Sequence, residues 1–331
     1  MKENILLVDG MNVLLRCFCA INITNDDGEH YGVVFGAINS LRKAIETLQP
    51  DRVIFAWEGC GSSERRKKLF SGYKEGRGRT RLTTFPCFKD IDDERKSLLF
   101  QIKRFAKYLE ILPVTEVRVD GLEADDVIAY ICTKLKTPNQ SFVILSTDKD
   151  YLQLSSSDIY VYNPIKELKI TESVMKSQYS CGIPPKNFAI ARALVGDSSD
   201  RIPGVPGIGV KTAAKVIPEL LSETKINVED VINLAKERTS TKLKSYQTIV
   251  DHADIIKRNY ILMQLYDIMI EPDQVRQIMN VMESKSKLFN VQKLTQMFMQ
   301  DRLWRNIRNI ASFESAFLRL HGKSMMRNRI L

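Results

Sequence analysis

The chain is poor in the residues that build nitrogen- and sulfur-ligated metal sites. It has three histidines and six cysteines in 331 residues. None of the cysteines (Cys17, Cys19, Cys60, Cys87, Cys132, Cys181) belongs to a C-x-x-C pair. That argues against zinc, and the scatter suits reduced thiols of a cytoplasmic protein. No apolar run approaches the roughly 18–20 residues that span a bilayer, so no membrane role is expected. The chain goes straight into the apolar strand Asn4–Val8, so no signal peptide is expected. Neither an internal repeat nor a low-complexity linker is present.

What is present is basic charge. There are 49 Lys and Arg against 40 Asp and Glu, a net charge of +9. Such a balance fits either a solvated basic surface or a polyanionic partner such as nucleic acid.

The hydrophobic pattern alternates between strand and helix. Asn4–Val8 is a continuous apolar run closed by Asp9-Gly10, as in a central parallel strand. Val53–Trp57, Phe142–Ser146 and Ile159–Tyr162 read as further strands. Val33–Leu48, Lys96–Glu110 and Glu123–Lys136 carry helical periodicity. The fold class predicted is α/β with a mostly parallel sheet over residues 1–172. Residues 61–104 break the rhythm, with thirteen Lys or Arg against six Asp or Glu, and read as a mobile insertion outside the core. After about Thr171 the pattern is helical. Residues 173–222 form one helical region and 223–331 a second. In the latter, Ile255, Ile256, Leu262, Leu265 and Ile268 are expected to pack onto the first. Arg302, Arg305 and Arg308 recur at three-residue spacing, as if on one helix face.

Ligands of parallel α/β sheets bind beyond the carboxyl ends of the strands. Acids cluster at such places. Asp9 follows the first strand, Glu58 the second, and Asp148 and Asp150 the third. Glu123, Asp125 and Asp126 open a helix, and Asp197 and Asp200 occupy a later loop. Singly, each has an ordinary reading as a helix-dipole or turn residue. Nine carboxylates on one rim would repel unless cations neutralised them. Carboxylates without imidazole or thiolate select hard ions such as Mg²⁺ or Mn²⁺. Two such ions about 4 Å apart can activate water and stabilise the leaving oxygen of a phosphodiester.

The segment Gly196–Ala214 reads GDSSDRIPGVPGIGVKTAA. Gly204, Gly207 and Gly209 let backbone N–H groups approach a phosphate, and Lys211 adds a cation at a helix start. An ordinary turn is the plainer alternative. A nucleotide-binding P-loop needs Gly directly before its Lys, and Val210 stands there.

Five motifs then occur in order: LVDGMNVLLRCF (Leu7–Phe18), SGYKEGR (Ser71–Arg77), GLEADD (Gly121–Asp126), STDKD (Ser146–Asp150) and LVGDSSDRIPGVPGIGVKTA (Leu194–Ala213). Together they resemble the 5′ nuclease family of flap endonucleases, phage 5′–3′ exonucleases and the 5′ nuclease domain of bacterial DNA polymerase I. The resemblance covers residues 4–216. It implies a resolvase-like, PIN-like sheet, a helical arch at 61–104 and a helix–two-turn–helix DNA-binding region. It implies an inner metal site of Asp9, Glu58, Glu123 and Asp125. The second site would use Asp126, Asp148, Asp150, Asp197 and Asp200. Lys74 and Arg77 match arch residues that act on the scissile phosphate, Tyr73 one that stacks on a base, and Arg16 one near the substrate's 5′ end. Gly204–Lys211 and Thr212 match the DNA-gripping hairpin, where carbonyls of Val205 and Ile208 would hold K⁺. Most relatives carry Asp where this chain has Glu58, whose longer side chain shifts a ligated ion.

The activity implied is metal-dependent cleavage of DNA at 5′ ends, nicks or flaps, with removal of RNA–DNA primers in replication. RNase H activity is consistent with that role. A cytoplasmic, stand-alone, phage-type monomer is expected, with a single-strand-binding or replication protein as a candidate partner. The rivals are an RNA-cleaving nuclease on a similar domain and a decayed protein that only binds branched DNA.

Overall fold

The structure is a computed structural model that describes residues 2–328, apart from 242 and 308. The first half is β1 (Glu3–Asp9), α1 (Gly10–Ala20), α2 (Gly32–Leu48), β2 (Arg52–Trp57), α3 (Glu64–Leu69), α4 (Ile91–Leu109), β3 (Thr115–Arg118), α5 (Ala124–Lys134), β4 (Gln140–Leu145), β5 (Ile159–Asn163) and β6 (Leu168–Ile170). A single 3₁₀ turn, Asp150–Leu154, follows β4. The sheet order is β3-β2-β1-β4-β5-β6, parallel throughout except for the β5–β6 hairpin.

Strand residues alternate between two apolar layers, which is why β1 reads as an unbroken apolar run. Ile5 and Leu7 face the layer built with α5; Leu6 and Val8 face the layer of α1, α2 and α4. The expected α/β class is what the fold shows. Gly10 is where α1 begins hard against β2. A Cβ there would run into the Phe55 ring and the Ala56 carbonyl. Glycine thus lets Asp9 sit at the junction of strand and helix.

The second half is helical: α6 (Glu172–Gln178), α7 (Pro185–Val195), a two-stranded ribbon β7 (Gly196–Asp197) and β8 (Ile202–Pro203), α8 (Val210–Val216), α9 (Val228–Glu237), α10 (Lys244–Asp251), α11 (Ala253–Met263), α12 (Pro272–Glu283), α13 (Val291–Gln300) and α14 (Ile310–Asn328). α7 to α11 share the α5 layer, with Ile256 and Leu265 buried in it and Ile268 packed against it. Among the described residues no helix is long and apolar enough to cross a membrane.

Three features differ from the sequence reading. Strand β3 is short and carries Glu116 and Arg118, so its apolar pattern is weak. Residues 61–104 are not wholly peripheral: Arg66, Tyr73 and Glu94 are 3%, 2% and 1% exposed. The last helices do not all join the hairpin region; α13 and α14 cross to the opposite face and bury Phe298 and Phe317 beside α2 and α4. Arg302 and Arg305 are not on a helix. They sit in the turn between α13 and α14 and pair with Asp27 and Asp26. Arg308 lies outside the described residues.

Candidate active site

A cavity of about 810 Å³ opens at the carboxyl ends of β1, β2 and β4. Asp9, Glu58, Glu123, Asp125, Asp148, Asp150 and Asp200 all line it, as do Arg16, Lys74 and Arg77. Residues from both halves of the chain thus meet where an open parallel sheet presents its loops.

Asp9 ends β1 and caps α1, accepting from the Asn12 N–H at 3.2 Å. Its other oxygen accepts from Ser146 Oγ at 3.1 Å and the Tyr151 hydroxyl at 3.2 Å. Burial, with repulsion from Asp148, pushes its carboxyl up to about 7. Burial and the neighbouring Glu123 likewise push Glu58 to about 7. Glu58 accepts from Ser62 Oγ at 3.3 Å and the Ala124 N–H at 3.4 Å.

Glu123 is the N-cap of α5. Its Oε2 accepts from Arg66 and Lys74, each at 2.7 Å, and from the Tyr73 hydroxyl at 2.9 Å. Its Oε1 is buried with no hydrogen-bond partner. Burial opposes ionisation of Asp125, yet Arg66 and Lys74 hold its carboxyl below the usual range. Asp150 is pushed up to about 7 by burial and by Asp148, whose own carboxyl burial raises. Asp200 is raised by burial and accepts from Arg77.

Two expected acids face elsewhere. Asp126 is 1% exposed and lies behind the cavity, bound to Arg65 and Arg66, each at 2.9 Å, and to the Glu123 N–H at 3.2 Å. The Glu123 N–H bond to one oxygen is the reciprocal half of a capping box, and the two arginines take the other oxygen. Asp197 is held by Arg192 at 2.5 Å and the Ser199 N–H at 2.7 Å, and does not line the cavity. Arg192 also donates to Asp150 at 2.9 Å, which ties Asp197 to the cluster indirectly. Tyr73 is buried with Ile202, Leu262 and Met263, so it offers no face for stacking on a base.

Among the described residues, no three acids, cysteines or histidines close on one point as a ready-made metal cage. The carboxylates surround a space, and basic partners occupy several of them. The expected split into an inner and a second metal site is therefore not drawn by the side chains as they stand.

The hairpin follows α7. Gly196 adopts φ +76° and lies against Gly204, where a Cβ on either would strike backbone. Gly204 is thus a packing glycine rather than an open phosphate contact. Gly207 is exposed at φ +75°, Gly209 caps α8, and Lys211 and Thr212 lie in the first turn of α8. The Val205 carbonyl accepts from the Ile208 N–H at 3.1 Å. None of these residues lines the acidic cavity.

Sequence reading missed several residues of the site. Arg66, inside a run of basic residues, is buried among Glu123, Asp125 and Asp126 and also donates to the Leu262 carbonyl at 3.1 Å. Arg192 sits within an otherwise apolar stretch of α7, an irregularity that was itself a signal. Asn12 accepts from the Thr147 N–H at 3.1 Å and its hydroxyl at 3.0 Å, which fixes the turn carrying Asp148. Arg16, by contrast, was among the expected residues: it lines the cavity, and its buried Nε has no hydrogen-bond partner.

Comparison with known proteins agrees with this layout. The family description "5′-3′ exonuclease, N-terminal resolvase-like domain" matches residues 4–180, and "5′-3′ exonuclease, C-terminal SAM fold" matches 183–287. A 5′-3′ exonuclease of Buchnera aphidicola subsp. Acyrthosiphon pisum is 31% identical over 255 residues, 75% of this chain and 80% of that protein. The thermostable DNA polymerase I of Thermus aquaticus is 35% identical over 219 residues, 66% of this chain and 24% of that protein. Zinc-bound T5 5′-exonuclease superposes with a TM-score of 0.68 at 19% identity, over 85% of this chain and 98% of that one. The flap endonuclease of bacteriophage T5, in complex with DNA and metal ions, gives 0.64 at 20% identity, over 90% and 99%. With the two family descriptions together matching residues 4–180 and 183–287, this chain belongs to the 5′–3′ exonuclease family of nucleases.

Proposed function

We propose that the protein is a divalent-metal-dependent, structure-specific 5′ nuclease that hydrolyses DNA near a 5′ end or at the base of a 5′ flap. The observation that carries this reading is the cavity itself: eight carboxylates beside Arg16, Lys74, Arg77 and Arg95. The donor set fits hard cations. All its acidic donors are oxygens, Glu123 Oε1 has no partner, and Asp9, Glu58 and Asp150 are pushed toward neutrality by burial and then by neighbouring carboxylates, both of which a cation would offset. Asp9, Glu58, Glu123, Asp125, Asp148, Asp150 and Asp200 would hold two Mg²⁺ or Mn²⁺ ions. When bound, such ions supply an activated water and offset charge on the phosphodiester.

The chain's own part is to bind and orient. Lys74 and Arg77, now paired with Glu123 and Asp200, stand where a phosphate would compete for them, and would stabilise charge growing on it. Arg16 would meet the 5′-terminal phosphate. The hairpin at Gly207–Thr212 would hold the duplex by its backbone, without base readout, with K⁺ on the Val205 and Ile208 carbonyls. Removal of RNA–DNA primers and flaps in replication is the role this activity serves, in the cytoplasm and as a monomer.

The test is digestion of a 5′-labelled double-flap DNA with Mg²⁺, with and without chelator. A short labelled product that needs Mg²⁺ is expected. Asp148→Ala should abolish cleavage and leave duplex affinity within about threefold, because affinity comes from basic contacts. Normal turnover by that variant would refute the assignment.

A further inference from the structure

Residues 288–331 lie beyond both matched family descriptions. Their described part is nevertheless built into the catalytic half. α13 and α14 bury Leu294, Met297, Phe298 and Phe317 in the layer shared with α1, α2 and α4.

Between these helices stands Asp301, 6% exposed. Its oxygens accept from Arg104 Nε at 2.9 Å each, from the Tyr108 hydroxyl at 2.6 Å and from the Tyr31 hydroxyl at 3.4 Å. Arg104 and Tyr108 are four residues apart, on one face of α4. One turn earlier on α4, Gln101 is fully buried. It accepts from the Val33 N–H at 2.8 Å and lies 3.0 Å from His30 Nδ1. Earlier still on the same helix, Leu98, Arg95 and Glu94 line the acidic cavity. The helix thus runs about 20 Å from its anchor at Tyr108 to the cavity wall at Arg95.

A surface tie would not need this arrangement. Asp301 is a buried charge that satisfies three donors from two segments of the catalytic half, and removing it leaves Arg104 without its carboxylate partner. Its bonds fix both the height and the rotation of α4, because Arg104 and Tyr108 meet the same carboxylate.

We propose that the C-terminal segment is a brace in which Asp301 is a positioning residue. It sets the placement of α4, and through α4 the cavity wall formed by Arg95 and Leu98, so that a bound 5′ strand is held in register for cleavage. This rests on the nuclease reading above. Asp301 touches no substrate, and its effect falls on turnover rather than on affinity.

The test compares the full chain with Asp301→Asn, Asp301→Glu and Lys323→Ala in steady-state cleavage of a 5′-labelled flap DNA in Mg²⁺. Asp301→Asn should lower kcat about tenfold and leave KM within about twofold, the signature of a misplaced cavity wall. Asp301→Glu, which keeps the charge, should recover part of that loss. Lys323→Ala removes a different tie of the same segment, to Asp51 and the Gln49 carbonyl, and should leave both constants unchanged. Hydrogen exchange should quicken across residues 91–109 in Asp301→Asn. Wild-type kcat or unchanged exchange in Asp301→Asn would overturn the brace, as would an equal loss of kcat in Lys323→Ala. If Asp301→Asn does not fold, Tyr108→Phe removes one donor and is read in the same way with a smaller loss. If the wild-type protein leaves the flap intact, the nuclease reading fails instead, and the exchange measurement alone decides the brace.

Discussion

Single residues in this site are defined by their partners more than by their type. Asp125 and Asp126 are adjacent, yet one lines the cavity and the other is locked behind it by Arg65 and Arg66. Lys74 is pulled two ways: burial disfavours its charge, and Glu123 with Asp125 more than restores it, so it stays protonated. Lys74→Ala should therefore lower kcat by about 10²-fold or more, with a smaller change in KM, in single-turnover and steady-state cleavage of a flap substrate. A loss confined to KM would make Lys74 a docking residue. Away from the site, Asp158 gives a clean pH test. Hydrogen bonds from Lys136 and Lys2 hold its carboxyl down at about 2, below the roughly 3.9 of an unfolded chain. A depressed carboxyl contributes stability above its unfolded value and loses it as pH falls through its folded value. Asp158→Asn should therefore melt lower than wild type at pH 7, with the gap closing from pH 4 toward pH 2.

At the scale of elements, local signals succeeded where one segment carries its own reason to fold. α7, in the stretch read as helical after Thr171, runs over Pro185–Val195 with a proline start and a glycine end. α5 begins at Ala124 because Glu123 and Asp126 form a capping box, so the acid cluster is both cap and site. α4 starts earlier than its apolar periodicity suggested, since Asp90 accepts from the N–H groups of Asp92 and Asp93. The ribbon after α7 depends on a residue that tolerates positive φ at Gly196 with backbone packed against it. Gly196→Ala should cost about 2 kcal/mol or more in urea unfolding, because strain and collision act together. A loss of a few tenths would show that the ribbon shifts freely. β3 and the placement of α13 and α14 were not anticipated, because they follow from burial against distant helices and not from their own periodicity.

Across the whole molecule, net charge of +9 coexists with a cavity lined by eight carboxylates. The folded protein therefore stores repulsion that bound divalent ions would release. Saturating Mg²⁺ should raise the melting temperature, and chelator should reverse it, since a ligand specific to the folded state stabilises by mass action. An unchanged melting temperature in differential scanning calorimetry would count against Mg²⁺ binding at the carboxylates.

The sequence by itself determined the alternation of strand and helix, the two-sided burial of β1, and the stock of acids that follow apolar runs. These are local properties, written in spacings of two to four residues. Only the tertiary structure decided which acids share the cavity, that Arg66 and Arg192 pair with acids of the cluster, that Tyr73 turns inward, and that the last helices return to α2. Those outcomes join residues as distant as Arg66 with Glu123 and Tyr31 with Asp301. Such pairs are selected by competition for burial and for hydrogen-bond partners across the folded chain, and no short window of sequence contains both sides of that competition.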